Sequence, residues 1–165
     1  AKAGVVMSSG LCTKGPDGLA QKAYAKAIDE GLASTSQLEV YVSEQSMIRK
    51  SPLPYKEMSM VMPSNLKTKR IQWLSKVMTS SHLNACDDYA LGQHQRNVHQ
   101  ILGPDLITPV DAVFTWCLLN KDGSPMGGTA TAYKLALLLD IPIINLFNTK
   151  PDDVTIQLNK LLVGE

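Results

Sequence analysis

Two short stretches of this chain carry the residue types that can hold an anion. Ser8-Ser9-Gly10 leads into Gly15, Asp17 and Gly18, and Pro125-Met126-Gly127-Gly128-Thr129 opens a run of helix-forming residues. Glycine lets backbone N–H groups approach an anion with no Cβ in the way, and a helix N-terminus adds about half a positive charge. The Thr129 hydroxyl can cap its helix or donate to a phosphate oxygen. The plainer alternative is that the two glycines only make a tight turn and that Thr129 only caps.

Other side chains suggest weaker chemistry. His94, Arg96, Asn97 and His99 fall on one expected helix, where Arg96 is a candidate anion contact. Two histidines five residues apart do not form a helical metal pair, which needs a spacing of three or four. His82 reads as a surface residue, and His94 and His99 as helix-surface or packing residues. Adjacent Asp87 and Asp88 point to different faces of a helix and cannot act as a carboxylate pair. Cys12, Cys86 and Cys117 are odd in number and lack paired metal-type spacing, so the reading is no disulfide framework, no metal and a reducing cytoplasm. Cys12 has no histidine near it in sequence to activate it. Trp73 and Trp116 read as core or edge packing residues, with Val113-Phe114-Thr115-Trp116 as ordinary sheet interior.

The charge distribution says more than the net charge of +1. From Arg49 to Lys76 there are seven basic residues, among them Lys67, Lys69 and Arg70, against the single acid Glu57. Such a stretch attracts phosphate, or is simply a solvated basic loop.

These residues need elements to position them. Residues 4–9 read as a strand, 17–31 as a helix closed by Gly31, and 38–42 as a second strand, so the first pair is parallel. Residues 43–70, with Pro52, Pro54 and Pro63, read as a long loop. Helical spacing resumes at 71–77 and again at 83–102, stopped by Gly103-Pro104. A continuous apolar strand at 111–116, a turn at 121–124, a helix at 129–139, a strand at Ile141–Leu146 and a closing helix from Pro151 complete the pattern. Alternation of this kind specifies an α/β domain over residues 1–165, a doubly wound parallel sheet with helices on both faces. Ligands bind such sheets beyond the carboxyl ends of the strands, where both glycine stretches were placed. No stretch approaches the roughly 20 apolar residues of a membrane span, and 44% hydrophobic with 19% charged content is ordinary for a globular chain.

"SSGLCTKGPDGLA", "HQRNVHQILGPDLITP" and "GGTATAYKLALLLDIPIINL" together resemble the Rossmann-like nucleotide-binding superfamily of the Lonely-Guy hydrolases, the DNA-processing protein A family and the molybdenum-cofactor carriers. The small DNA-processing-protein-A-like proteins of bacteriophages are the nearest in pattern. The resemblance implies that Gly127, Gly128 and Thr129 hold a phosphate and that Ser9, Gly10, Gly15 and Asp17 form the opposing wall. It gives Asn145 the role of bonding a ligand or tying down the adjacent loop. The family pattern opens with one more strand and helix, so the expectation is either a partial product or a differently built edge. The hydrolases of this superfamily carry Pro-Gly-Gly-x-Gly-Thr-x-x-Glu, whose glutamate serves as acid and base. Lys134 stands at that position, and a lysine supplies no carboxylate.

The expected function is therefore non-catalytic binding of a phosphate-bearing ligand: a nucleotide, a nucleotide-derived molecule or single-stranded nucleic acid. In this reading the chain is a cytoplasmic DNA-metabolism accessory protein, with a bound nucleotide as the one candidate cofactor. The alternative is a structural or interaction subunit of a larger phage assembly, with a protein partner or a second copy covering an exposed sheet edge.

Overall fold

In the computed structural model, which describes residues 5–12 and 15–163, the chain divides into two compact units, 1–68 and 69–165. Gly4, the first residue of the expected strand, lies outside the described residues, as do Thr13 and Lys14 of the first loop.

The first unit is built on a parallel sheet of three strands in the order β1 (Met7–Gly10), β2 (Leu38–Val42) and β3 (Ser59–Val61). Helix α1 (Gly15–Asp29) supplies the crossover between β1 and β2, as parallel pairing requires. Leu38, Val40 and Val42 alternate along β2 and so share one face, where they pack with Leu11, Ile48 and Leu53. Ile48 comes from the short helix α2 (Gln45–Lys50).

The expected long loop at 43–70 is thus largely ordered. It holds α2, β3 and two 3-10 turns, and runs into α3 (Lys67–Val77). Pro52, Pro54 and Pro63 fall between these elements, where a missing N–H breaks no ladder.

The second unit carries the rest of the chain. The expected helix at 83–102 is two helices, α4 (Ser80–Ala85) and α5 (Asp88–Leu102). They part at Cys86-Asp87 because the Asp87 carboxylate caps α5, accepting the Ala90 N–H at 2.7 Å. Strands β4 (Val113–Thr115) and β5 (Ile143–Asn145) form a parallel pair, with α6 (Ala130–Leu138) in the crossover between them. Helix α7 (Pro151–Val163) closes the chain with Asp152 and Asp153 in its first turn. Leu74, Val98, Leu135, Ala136 and Ile144 are among the buried core residues.

Trp116 departs from the expected sheet interior, being 55% exposed and edge-on to Phe147 at 5.9 Å. Val113, Thr115 and Cys117 are buried while Phe114 and Trp116 are exposed, so the β4 segment has one covered face. The architecture is α/β with small parallel sheets flanked by helices. Among the described residues no helix is long and apolar enough to cross a membrane.

Candidate functional site

The loop after β1 forms a closed network. Ser9 is 2% exposed and donates its hydroxyl to Asp17 Oδ1 at 3.1 Å; the Gly10 N–H reaches the same oxygen at 3.4 Å. Gln21 Nε2, one turn further along α1, reaches both Ser9 Oγ and the Gly10 carbonyl at 2.7 Å. Asp17 is in the first turn of α1, where the dipole favours a carboxylate. The chain's own carboxylate thus accepts the backbone N–H that a phosphate would use. Gly15 opens the helix at φ +73° and is exposed.

The second glycine stretch is arranged differently. Residues 117–126 fold back as a small hairpin: Leu119 bridges Pro125, the Asn120 N–H bonds Ser124 at 2.8 Å, and the Met126 N–H bonds Leu118 at 2.9 Å. This brings the chain to Gly127, whose φ of +73° makes the sharp entry into α6 that an L side chain resists. Gly127 and Gly128 are exposed, and a Cβ on either would meet nothing within 4 Å. Asn97, from α5, fixes the loop by donating Nδ2–H to the Gly128 carbonyl at 3.1 Å. Thr129 is the N-cap residue by position, but its side chain makes no capping hydrogen bond. Of the two roles open to that hydroxyl, the capping one is not taken.

Asn145 ties down the adjacent loop. Its Oδ1 accepts the Cys117 N–H and the Phe147 N–H, each at 3.2 Å, and its Nδ2–H bonds the Cys117 carbonyl at 2.8 Å. The amide extends the β4–β5 ladder by one pair and ties down the segment after β4.

The basic residues divide. Lys67 and Lys69 are exposed on α3. Arg70 is a correction to the expected surface contact: it is 4% exposed, donating Nε–H to Gln95 Oε1 at 3.0 Å and lying 3.3 Å from His99 Nε2. Counting charges along the chain cannot separate a solvated lysine from an arginine whose partners lie on α5. His99 is fully buried, as a packing residue, with Nδ1–H donated to the Gly103 carbonyl at 2.9 Å. Burial holds its imidazole below the ordinary histidine range; the Gly103 bond works against this and the Arg70 charge reinforces it. Arg96 is half-buried, its guanidinium 3.4 Å from Asn97 Oδ1. It therefore neighbours the residue that holds the Gly128 carbonyl.

On the same helix as Lys69, Lys76 Nζ stands 3.9 Å from the Trp73 ring centroid. These residues line an open hollow of about 590 Å³ with Gln72, Ser75 and Leu106. The sequence read Trp73 only as a packing residue, without its lysine partner.

Sequence reasoning also missed a side-chain trio. His82, Cys86 and His94 bring one ligand atom each to within 4.8 Å of one another. Their signal was the i,i+4 spacing of His82 and Cys86, which places both on one helix face. Burial, and then the charge of His82, lower the His94 pKa.

The hydrolase pattern puts its glutamate three residues after the threonine. Counted from Thr129 that position is Ala132, and counted from the Gly127-Gly128 pair it is Lys134; α6 holds no carboxylate at either position. Comparison with protein-family models, curated proteins and solved structures finds no match for this chain.

Proposed function

We propose that the chain binds a phosphate-bearing ligand through Gly127, Gly128 and Thr129, without covalent chemistry, as a Rossmann-like accessory protein of DNA metabolism. The observation that carries this reading is the state of that loop: two exposed glycines open α6, a Cβ on either would meet nothing within 4 Å, and Thr129 makes no capping hydrogen bond. A helix N-terminus of this kind attracts an anion through its free N–H groups and dipole. In the loop after β1 the Asp17 carboxylate is already on the Gly10 N–H, and Asn145 acts in this reading as a clamp.

Titration of ADP by calorimetry tests the loop. Gly128→Glu places a carboxylate at the anion position and is expected to weaken binding at least about tenfold, or 1.4 kcal/mol. Equal affinity in parent and variant would sink the proposal.

A second reading is favoured by the α3 hollow. Lys69 and Lys76 flanking Trp73 suit the backbone and a stacked base of single-stranded nucleic acid. It predicts that oligothymidine binding falls steeply with salt, and that Trp73→Ala weakens it while leaving ADP binding unchanged. Salt-independent binding, or no effect at Trp73, would remove it.

A further inference from the structure

We propose that His82, Cys86 and His94 form a binding site for one zinc ion, pinning α4 to α5. The donor set is two imidazoles and one thiol from two helices, with all three ligand atoms within 4.8 Å of each other. Imidazole and thiolate together suit zinc, and oxygen-seeking calcium or magnesium poorly.

The local sequence puts the donors in place. Thr79 caps α4 by accepting the His82 N–H at 3.3 Å, which sets the start of the helix. Four residues on, at its C-cap, Cys86 lies on the same face, its thiol on the His82 carbonyl at 3.3 Å. His94 comes from the middle of α5, and its ring meets that of His82 edge-on at 5.8 Å.

The support behind His94 points the same way. Its Nδ1 lies 2.8 Å from Thr131 Oγ1, and the Thr131 hydroxyl is itself directed at Met78 Sδ at 3.9 Å. In the tautomer protonated at Nδ1 the threonine oxygen accepts from Nδ1–H and the lone pair is left on Nε2; the contact fixes the ring orientation, and Thr131 is 2% exposed. Metal-bound histidines take this second hydrogen bond almost without exception.

Closed zinc geometry needs ligand atoms about 3.3–3.6 Å apart, from bonds of about 2.0–2.3 Å. Closing the remaining distance takes about 1 Å of side-chain movement, and His82, exposed on a six-residue helix, has room to make it. On binding, the Cys86 S–H bond breaks, an S–Zn bond forms and one proton passes to solvent; both histidines enter neutral. Three protein ligands leave a fourth position for water or an exchangeable donor.

The test uses the full chain, freed of metal with a chelator and then titrated with zinc by calorimetry and with cobalt(II) by absorption. One ion per chain is expected, with a thiolate-to-cobalt charge-transfer band and about one proton released. His82→Ala, at an exposed position, should keep the fold and weaken zinc binding on the order of 100-fold. Cys86→Ser should abolish the charge-transfer band, and Thr131→Val should weaken zinc binding about 10- to 100-fold. The site is refuted if the parent chain binds no zinc, if His82→Ala binds as tightly as the parent, or if the band survives in Cys86→Ser. None of these readouts depends on the Gly127–Thr129 loop, so this inference and the ligand proposal stand or fall separately.

Discussion

Replacing Asn145 separates a clamp from a ligand contact. In Asn145→Ala the Cys117 N–H, the Cys117 carbonyl and the Phe147 N–H lose their partner together. Cys117 is 6% exposed, so leaving its N–H unbonded costs about 1–3 kcal/mol; the other two groups add about 0.5–1 kcal/mol between them, since Phe147 is exposed and water replaces its bond. The sum is about 1.5–4 kcal/mol, a large share of an ordinary domain's stability. With a urea m-value of about 1.5 kcal/mol/M, the midpoint falls by about 1.0–2.7 M. Asn145→Asp sharpens the test. It keeps the acceptor but sets a carboxylate oxygen against the Cys117 carbonyl, where a donor now stands at 2.8 Å, so at neutral pH it should destabilise at least as much as alanine. Acidification through the carboxylate range restores a donor and narrows the gap. Urea unfolding followed by tryptophan fluorescence reads both variants. The clamp is refuted if Asn145→Ala shifts stability by less than 1 kcal/mol while ligand affinity collapses.

Two further outcomes follow from the second unit's packing. Gly103 sits at φ +71°, ψ −173°, and a Cβ there would stand 3.0 Å from the Thr108 carbonyl. Gly103→Ala should cost about 1–3 kcal/mol in urea unfolding, whereas Gly128→Ala, with open space around it, should stay within about 0.5 kcal/mol. An equal effect at both positions would contradict the backbone argument. The pH dependence has a definite sign: His99 and His94 both have lowered pKa values, so below about pH 6.5 the unfolded chain takes up protons that the folded one resists. Stability is fully present above that pH and is lost as pH falls toward the folded values. Urea midpoints that rise on acidification from pH 7 to 5 in the parent, or the same slope in His99→Gln, would refute it.

Elements with a strong period were legible in the sequence. The apolar spacing of α1, the alternation in β2 and the acidic, proline-led start of α7 are local signals, and those elements formed where expected. What was lost depends on partners distant in sequence. Ser59-Met60-Val61 becomes β3 only because β2 lies beside it; three residues with two exposed side chains carry no period. Arg70 looked like its solvated neighbours because Gln95 and His99 are 25 and 29 residues away. The break at Cys86-Asp87 was legible in principle, since an aspartate ahead of a helical run is a capping signal. It was missed because Asp87 and Asp88 were weighed only as catalytic acids. For the metal trio, His82 and Cys86 were within reach of spacing arguments; His94 needed the packing of α5 against α4.

The two glycine stretches show why composition alone did not distinguish their roles. Each has glycines at the N-terminus of a helix, and each helix points a partial positive charge at its loop. In the first, the sequence supplies an acid in the opening turn of α1, and Asp17 meets both Ser9 and the Gly10 N–H. A second anion on the Gly10 N–H would have to displace a carboxylate tethered to the same helix. In the second, residues 125–134 include no acid, and the amide of Asn97, reaching the loop from α5, takes the Gly128 carbonyl. A carboxylate within one turn of the glycines turns such a loop into part of the scaffold. Where that carboxylate is missing, as at Gly127-Gly128, our proposal is that the same backbone takes a phosphate from outside.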